Sequence, residues 1–165
     1  MAASPKKRLA TDTNFPLDLA ARKELAVLCW EVLRAKGWSL FLPPTALAEL
    51  RLLTTHPDRE VSDLARKAAS ELEEWDIQVF PLSDLEESLA ESLCRRLVLA
   101  DLLPAEEWSD GVILGEASLA GMPLLVTSDR HLLHIEQQAL RQVFTEADLD
   151  FTLPVHRRDI ARIVS

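Results

Sequence analysis

The sequence predicts an α/β fold in which a central parallel sheet is flanked by helices on both faces. Short apolar segments alternate with amphipathic helical segments, and turn residues separate them. With 165 residues, 48% of them apolar, the chain is long enough for one domain with an ordered core. We therefore expect a single domain over residues 1–165, with a basic flexible N-terminus at 1–8 and a C-terminal extension at 145–165.

The first third of the chain predicts two strands, each followed by a helix. Arg8 to Thr11 form a short first strand, and apolar residues at helical spacing predict a helix over Leu19 to Ala35. Gly37 is a typical C-terminal cap for that helix. Ser39 to Leu42 form the second strand, and two prolines then open a helix that continues to about Leu53.

The middle of the chain predicts a third strand between two helices. Val61 to Trp75 form an amphipathic helix with apolar residues three and four apart, and Ile77 to Phe80 form the strand. Ser83 precedes Glu86 by three residues, which is the spacing of a capping box at the start of a helix.

The last third predicts two more strands. A helix over Ser109 to Ala120 ends at Gly121, and the buried strand Leu124–Val126 follows. Gln142 to Phe144 are expected to form the last core strand, and His156 to Val164 a terminal helix.

Composition narrows the class of protein. No apolar run approaches the roughly 20 residues that span a bilayer, and no secretory signal opens the chain. Two lone cysteines indicate reduced core thiols, and glycine-rich phosphate loops are absent. We therefore expect a cytoplasmic protein with no membrane segment. The net charge is −9, but 15 acidic and five basic residues fall between Asp58 and Asp110, which is most simply the solvated face of helices there.

Four carboxylates lie beside apolar segments rather than on an obviously solvated face. Asp12 follows the first strand, Glu49 lies in the helix after the second, Asp110 opens the helix before the strand Leu124–Val126, and Asp129 follows that strand. Taken singly, the aspartates have structural explanations as caps or turn residues. In a parallel sheet, however, ligands bind beyond the carboxyl ends of the strands.

If these carboxylates meet at one rim, they repel one another. Two bare charges about 4 Å apart cost around 4 kcal/mol at an effective dielectric of 20. A folded protein can keep carboxylates this close together only if protons or a bound cation neutralise part of their charge. Oxygen ligands without cysteine or histidine favour Mg²⁺ or Mn²⁺, and with them phosphate-ester chemistry. His131 and His134 are spaced to share a helix face, but no third ligand of that type for zinc is nearby in the sequence.

The sequence resembles the PIN-domain nucleases, which include the VapC-type toxins. Four segments carry the resemblance in order along the chain: TDTN, PPTALAEL, SDGVILGEASLAG and LLVTSDRHLL. The last two are the most specific, and the likeness runs from about Leu9 to Phe144.

The resemblance implies a metal-dependent endoribonuclease. Asp12, Glu49, Asp110 and Asp129 would be the catalytic residues and would bind one or two Mg²⁺ or Mn²⁺ ions. Supporting roles fall to Asn14, Thr127 and Ser128: Asn14 would orient a carboxylate, Thr127 would hydrogen-bond in the site, and Ser128 is a variable position of the motif. RNA would be the substrate, and the family implies an antitoxin or other protein partner and a homodimer.

Two further hypotheses follow from the residues themselves. Arg130, beside Asp129, is the basic residue placed to contact a substrate phosphate, with an ion pair or a solvated side chain as the alternatives. The acidic middle segment and the short first strand also suit a catalytically inactive PIN-like module that binds protein or RNA.

Overall fold

The sheet is built from short strands that all run in the same direction. The computed structural model describes residues 7–165. In chain order the strands are β1 (Arg8–Thr11), β2 (Ser39–Leu42), β3 (Ile77–Val79), β4 (Leu124–Val126) and β5 (Leu153–Val155). They are parallel and lie in the order β3-β2-β1-β4-β5. The predicted fold class is therefore confirmed.

Helices connect every pair of consecutive strands. They are α1 (Asn14–Ala20), α2 (Glu24–Ala35), α3 (Pro44–Leu53), α4 (Arg59–Glu71), α5 (Asp84–Leu99), α6 (Trp108–Leu119), α7 (Arg130–Leu133), α8 (Gln137–Glu146) and α9 (Ile160–Ile163). Short 3₁₀ turns at Ala105–Glu107 and Arg157–Asp159 precede α6 and α9. None of the helices in residues 7–165 combines the length and the apolar character that crossing a bilayer requires.

The strand order divides the helices into two layers. The chain steps one way from β1 to β3, then returns past β1 to β4 and β5. Because parallel crossovers are right-handed, the two directions place their helices on opposite faces of the sheet. In agreement, α1 packs with α2 and α4, whereas α5 packs with α6 and α8. The order reverses between β1 and β4, which is the topological switch point where such sheets bind ligands.

The first strand is short but central. Leu9 and Ala10 are fully buried, and β1 pairs with β2 on one side and with β4 on the other. Arg8 already belongs to the strand, while residues 1–6 of the expected flexible N-terminus lie outside the described residues.

The helix expected over Leu19–Ala35 is two helices. Helix α1 ends at Ala20, and Arg22 adopts a left-handed conformation with φ 58°. The N–H of Lys23 donates to the carbonyl of Asp18 at 3.0 Å, which closes the last turn of α1 as a Schellman motif does. Glycine usually occupies the left-handed position, so an arginine there left no signal of a break in the sequence.

The predicted last strand, Gln142 to Phe144, is wrong. Gln142–Phe144 belong to helix α8, where Leu140, Val143 and Phe144 are buried at helical spacing. The edge strand is β5, so the segment 145–165 that was expected as a C-terminal extension supplies part of the sheet. Pro154 lacks an N–H, which argues against a strand in a sequence but is tolerated at a sheet edge.

Three predicted helix boundaries agree with the structure. Ser83 and Glu86 form the predicted capping box of α5. Gly37 and Gly121 follow their helices with φ of 78° and 74°, in the left-handed region where glycine is favoured.

Helix α6 is held against α5 by two glycines. A Cβ atom at Gly111 would lie 2.5 Å from the sulfur of Cys94, and one at Gly115 would lie 2.9 Å from the backbone of Ala90. Only glycine permits this approach, which buries α6 from Gly111 to Ser118. The close contact fixes the position of the acidic residue that opens α6.

Candidate active site

The candidate site lies where β1 and β4 end side by side. Thr11 pairs with Val126, and the N–H of Asp12 donates to the carbonyl of Val126 at 3.1 Å. The two segments then leave the sheet, so the residues after β1 face those after β4 at the switch point. This pairing brings the first and last segments of the predicted site together.

Asp12 is buried and surrounded by hydrogen-bond donors. Its side chain is 3% exposed. It accepts hydrogen bonds from the N–H of Phe15 at 3.1 Å, the hydroxyl of Thr127 at 2.8 Å and the N–H of Ser128 at 3.4 Å. Burial raises the pKa of Asp12 above its ordinary value, although these three hydrogen bonds and the positive charge of Arg157 oppose the rise. The carboxylate is therefore held in one orientation by residues from both strand ends.

Glu49 reaches the same edge from α3. It accepts a hydrogen bond from the hydroxyl of Thr13, the residue directly after Asp12, at 2.5 Å. Asn14, which was expected to orient a carboxylate, is exposed at the start of α1, and the side chain that contacts Glu49 is that of Thr13. Glu49 is thus tied to the end of β1.

Asp110 and Asp129 meet, and Glu107 joins them. One carboxylate oxygen from each of these residues lies within 4.8 Å of the other two. Glu107 ends the 3₁₀ turn before α6, and Asp110 lies in the first turn of that helix. We call Glu107, Asp110 and Asp129 the acidic cluster.

The two aspartates of the acidic cluster share a proton. Burial, followed by hydrogen bonding to Asp129 and Glu107 and by the charges of both, raises the pKa of Asp110 to about 9. Burial also acts on Asp129, but hydrogen bonding with the carboxyls of Asp110 and Glu107, and with the N–H groups of the following backbone, holds its pKa below the ordinary value. Without a cation, Asp110 and Asp129 together therefore hold one proton at neutral pH.

Asp129 fills the two roles that the sequence left open. Its carboxylate caps α7 by accepting from the N–H of His131 at 2.7 Å, and it also belongs to the acidic cluster. The N–H of Asp129 donates to the hydroxyl oxygen of Thr127 at 3.0 Å. Because the same hydroxyl donates to Asp12, Thr127 links Asp12 to the acidic cluster.

Glu116 is a buried carboxylate that the sequence analysis did not select. Its side chain, 2% exposed, accepts from the N–H and the hydroxyl of Thr45, each at 3.0 Å. Burial, with smaller effects from the charges of Glu87 and Glu49, raises the pKa of Glu116 to about 7 against the two hydrogen bonds. Glu116 therefore connects α6, which carries Asp110, to the first turn of α3, which carries Glu49.

Glu107 was also missed. It falls among acidic neighbours in the sequence and has no signal that separates it from solvated residues. The signal for Glu116 was present: it is a single carboxylate among apolar and small residues in the middle of a helix.

The histidines near the site do not form a zinc site in residues 7–165. The Nε2 atom of His131 lies 3.5 Å from a carboxylate oxygen of Glu107, and the cluster detected there contains carboxylates alone. His134 and Arg130 line a cleft that adjoins the site.

The donor set fits a hard divalent cation. Carboxylate oxygens are the preferred protein ligands of Mg²⁺ and Mn²⁺. Burial is the largest cause of the raised pKa of Asp110, and a cation would also relieve the like-charge repulsion that adds to it. The acidic cluster therefore combines suitable ligands with a repulsion between negative charges that a cation would compensate.

Comparison with solved structures identifies a protein of similar fold. The chain matches one from the crystal structure of VapBC2 from Rickettsia felis bound to a DNA fragment from their promoter, with a TM-score of 0.62. The match has 15% sequence identity and covers 90% of this chain and 98% of that one. No protein-family model and no curated protein matches the sequence. At this identity the likeness shows a shared fold.

Proposed function

We propose that this chain is a metal-dependent endoribonuclease of the PIN type, which hydrolyses phosphodiester bonds in RNA. The observation that carries the proposal is the acidic cluster at the switch point, with three carboxylates within 4.8 Å and the pKa of Asp110 raised to about 9. The similarity in fold to the VapBC2 chain supports it. The short first strand, which had favoured an inactive module, is a central strand paired on both sides.

In this proposal the acidic cluster, together with Asp12 and Glu49, would hold the metal. A bound Mg²⁺ or Mn²⁺ ion would supply Lewis acidity toward the phosphate and lower the pKa of water. Asp110 and Asp129 would both be ligands, and the proton that they share without a cation would be displaced on binding.

Two threonines position the remaining carboxylates. Thr127 donates to Asp12 and Thr13 donates to Glu49, so each carboxylate has a fixed oxygen on one side. The second oxygen of Asp12 accepts one further hydrogen bond, from the N–H of Phe15, which leaves it a lone pair for a ligand, and no donor among residues 7–165 contacts the second oxygen of Glu49. This preorganisation keeps the acceptors in place and leaves little rearrangement for the reaction step.

The resemblance to VapC-type toxins extends the proposal to partners. The chain would act with an antitoxin or another protein partner, and would form a homodimer. Expression of the chain alone should then arrest growth, and co-expression of the partner should relieve the arrest.

Cleavage of single-stranded RNA by the purified protein tests the activity. Cleavage should require Mg²⁺ or Mn²⁺, stop with a chelator, and be lost in Asp129→Asn. Asparagine still caps α7, so this variant should remain folded. Asp101→Asn, at an exposed left-handed position that asparagine tolerates, is the matched control and should cleave normally.

Metal titration by calorimetry separates the active enzyme from an inactive module. Binding of Mn²⁺ that disappears in Asp129→Asn supports the nuclease. A folded protein with neither metal binding nor cleavage would instead support a binding module that uses its acidic middle segment.

A further inference from the structure

A basic cleft adjoins the candidate active site on the β5 side. It has a volume of about 520 Å³ and lies between α7 and the segment that runs from β5 to α9. We call it the arginine cleft, because Arg130, Arg158 and Arg162 line it.

The arginine cleft carries a net positive charge within an acidic protein. The lining includes one acidic residue, Asp159, which lies 4.0 Å from Arg158 and 3.8 Å from Arg162. Burial and the neighbouring arginines lower the pKa of His156, so the positive charge at neutral pH comes from the arginines. The side chains of Arg158 and Arg162 are 69% and 78% exposed, so both can reach a ligand.

The arginine cleft is continuous with the site. Ser128 lines the cleft and donates its N–H to Asp12. Arg130 follows Asp129 directly and opens α7. A phosphate group in the cleft would therefore be a near neighbour of one held at the acidic cluster.

The opposite side of the site is acidic. A pocket of about 190 Å³ there is lined by Glu87, Glu91 and Glu116, and no arginine, lysine or histidine is among its lining residues in the described chain. Thr45, in the first turn of the helix that follows β2, contributes to that pocket, whereas the arginine cleft lies at the end of β5. In the strand order, β2 and β5 are on opposite sides of the β1–β4 switch point.

We propose that a single nucleic-acid strand is bound on one side of the cleavage site alone, and that its phosphates follow the arginine cleft toward β5. Arg130, Arg158 and Arg162 neutralise successive phosphates, while Glu87 and Glu91 repel the strand from the β2 side. A cleft of this volume encloses a ligand of about one or two nucleotides, which suits a single strand rather than a duplex. This inference rests on the proposed function, because it identifies how the substrate of that site is held.

Binding measured in a chelator tests the arginine cleft independently of cleavage. The probe is a fluorescent single-stranded RNA, and the variant is Arg158→Glu with Arg162→Glu. The control is Arg59→Glu with Arg66→Glu, which also removes two exposed arginines that flank a single aspartate, Asp63, and changes the net charge equally.

The cleft variant should bind RNA roughly tenfold or more weakly than the control variant. Its plot of log affinity against log salt should lose about 1.4 in slope, as expected when two phosphate contacts to a single strand are lost. Equal losses in the two variants would overturn the proposal. It would also be overturned if polyglutamate of equal charge bound the wild-type protein as tightly as the RNA, because the cleft would then suit an acidic peptide.

Cleavage of short RNAs tests the one-sided path. RNAs extended by several nucleotides on the 5′ side or on the 3′ side of one cleavable bond should differ, with one polarity cleaved faster. Arg158→Glu with Arg162→Glu should remove that advantage. Equal stimulation by both extensions would overturn the one-sided path, whereas normal RNA binding without any cleavage would count against the proposed function alone.

Discussion

Carboxylates at the carboxyl edge of the sheet occupy two different environments. Asp12 and Glu116 are enclosed by hydrogen-bond donors from neighbouring segments. In the acidic cluster, Asp110 and Asp129 instead meet each other and Glu107.

The two environments have different consequences for the fold. A carboxylate whose oxygens are paired with donors joins segments that are distant in sequence, as Glu116 joins α6 to α3. Where carboxylates face one another, their mutual repulsion adds to the cost of burying a charge. Both effects raise the pKa of Asp110. The enclosed carboxylates should therefore matter most for stability, and the acidic cluster most for cation binding.

Asp110→Asn should show the largest effect, on activity. Removing a ligand from the acidic cluster should lower RNA cleavage about a thousandfold, since a bound metal ion contributes several kcal/mol to charge stabilisation. The melting temperature in a chelator should stay the same or rise, because the amide can donate to Asp129 without adding a charge. Cleavage assays and thermal melts measure the two effects.

The control for Asp110→Asn is again Asp101→Asn, which should change neither property. A large fall in melting temperature in Asp110→Asn would show that Asp110 stabilises the fold as Asp12 and Glu116 do. It would contradict the difference between the two environments.

Glu116→Gln should change how stability depends on pH. The pKa of Glu116 is raised in the folded protein to about 7, so the folded state binds the proton more tightly than the unfolded state. The resulting stabilisation is fully present below the unfolded pKa of about 4.5 and is lost as pH rises through about 7. Relative to Glu116→Gln, the wild-type protein should lose up to about 3 kcal/mol over that window.

Urea denaturation in a chelator at pH 5 and pH 8 measures this difference. Exposed Glu24 provides the matched control, and Glu24→Gln should follow the wild-type pH dependence. Parallel curves for the wild type and Glu116→Gln would show that Glu116 ionises as an ordinary surface residue does.

Local sequence predicted most of the sheet because its strands are short apolar segments with turn residues beside them. The strands β1, β2 and β4 have the predicted bounds, and β3 ends one residue early. The failures have local causes as well. Arg22 occupies a left-handed position where glycine usually marks the end of a helix, so the break between α1 and α2 was not predicted. Pro154 argued against a strand at Leu153–Val155, so β5 was not predicted either.

The site was harder to predict because its contacts are tertiary. Motif and strand-end position selected Asp12, Glu49, Asp110 and Asp129, and the structure brings two of them into the acidic cluster. Glu107 enters the cluster through the geometry of a 3₁₀ turn, which sequence spacing does not encode. The partners of Glu49 and Glu116, Thr13 and Thr45, lie 36 and 71 residues away from them along the chain.

Thr127→Val tests the link between the two environments. Valine keeps the shape of the side chain, but Asp12 loses its hydroxyl donor at 2.8 Å and the N–H of Asp129 loses its acceptor. Leaving buried polar groups unpaired should lower the free energy of unfolding by about 2 kcal/mol. Thr145→Val, at an exposed position in α8, should cost much less, and equal effects in urea denaturation would contradict a special role for Thr127.

Glu107→Gln should have the smallest effect and sharpen the definition of the acidic cluster. The side chain of Glu107 is 27% exposed, and its carboxylate also lies 3.5 Å from the ring of His131. It should therefore contribute less to cation binding than Asp110 or Asp129, and the variant should bind Mn²⁺ about tenfold more weakly in calorimetry.

The neighbouring residue supplies the control for Glu107. Glu106 lies in the same 3₁₀ turn and is exposed, so Glu106→Gln makes the same chemical change beside the acidic cluster rather than within it. Its Mn²⁺ affinity should equal that of the wild-type protein. If both variants weaken binding equally, Glu107 acts through the general negative potential of the turn, and the cation would be held by aspartates without it.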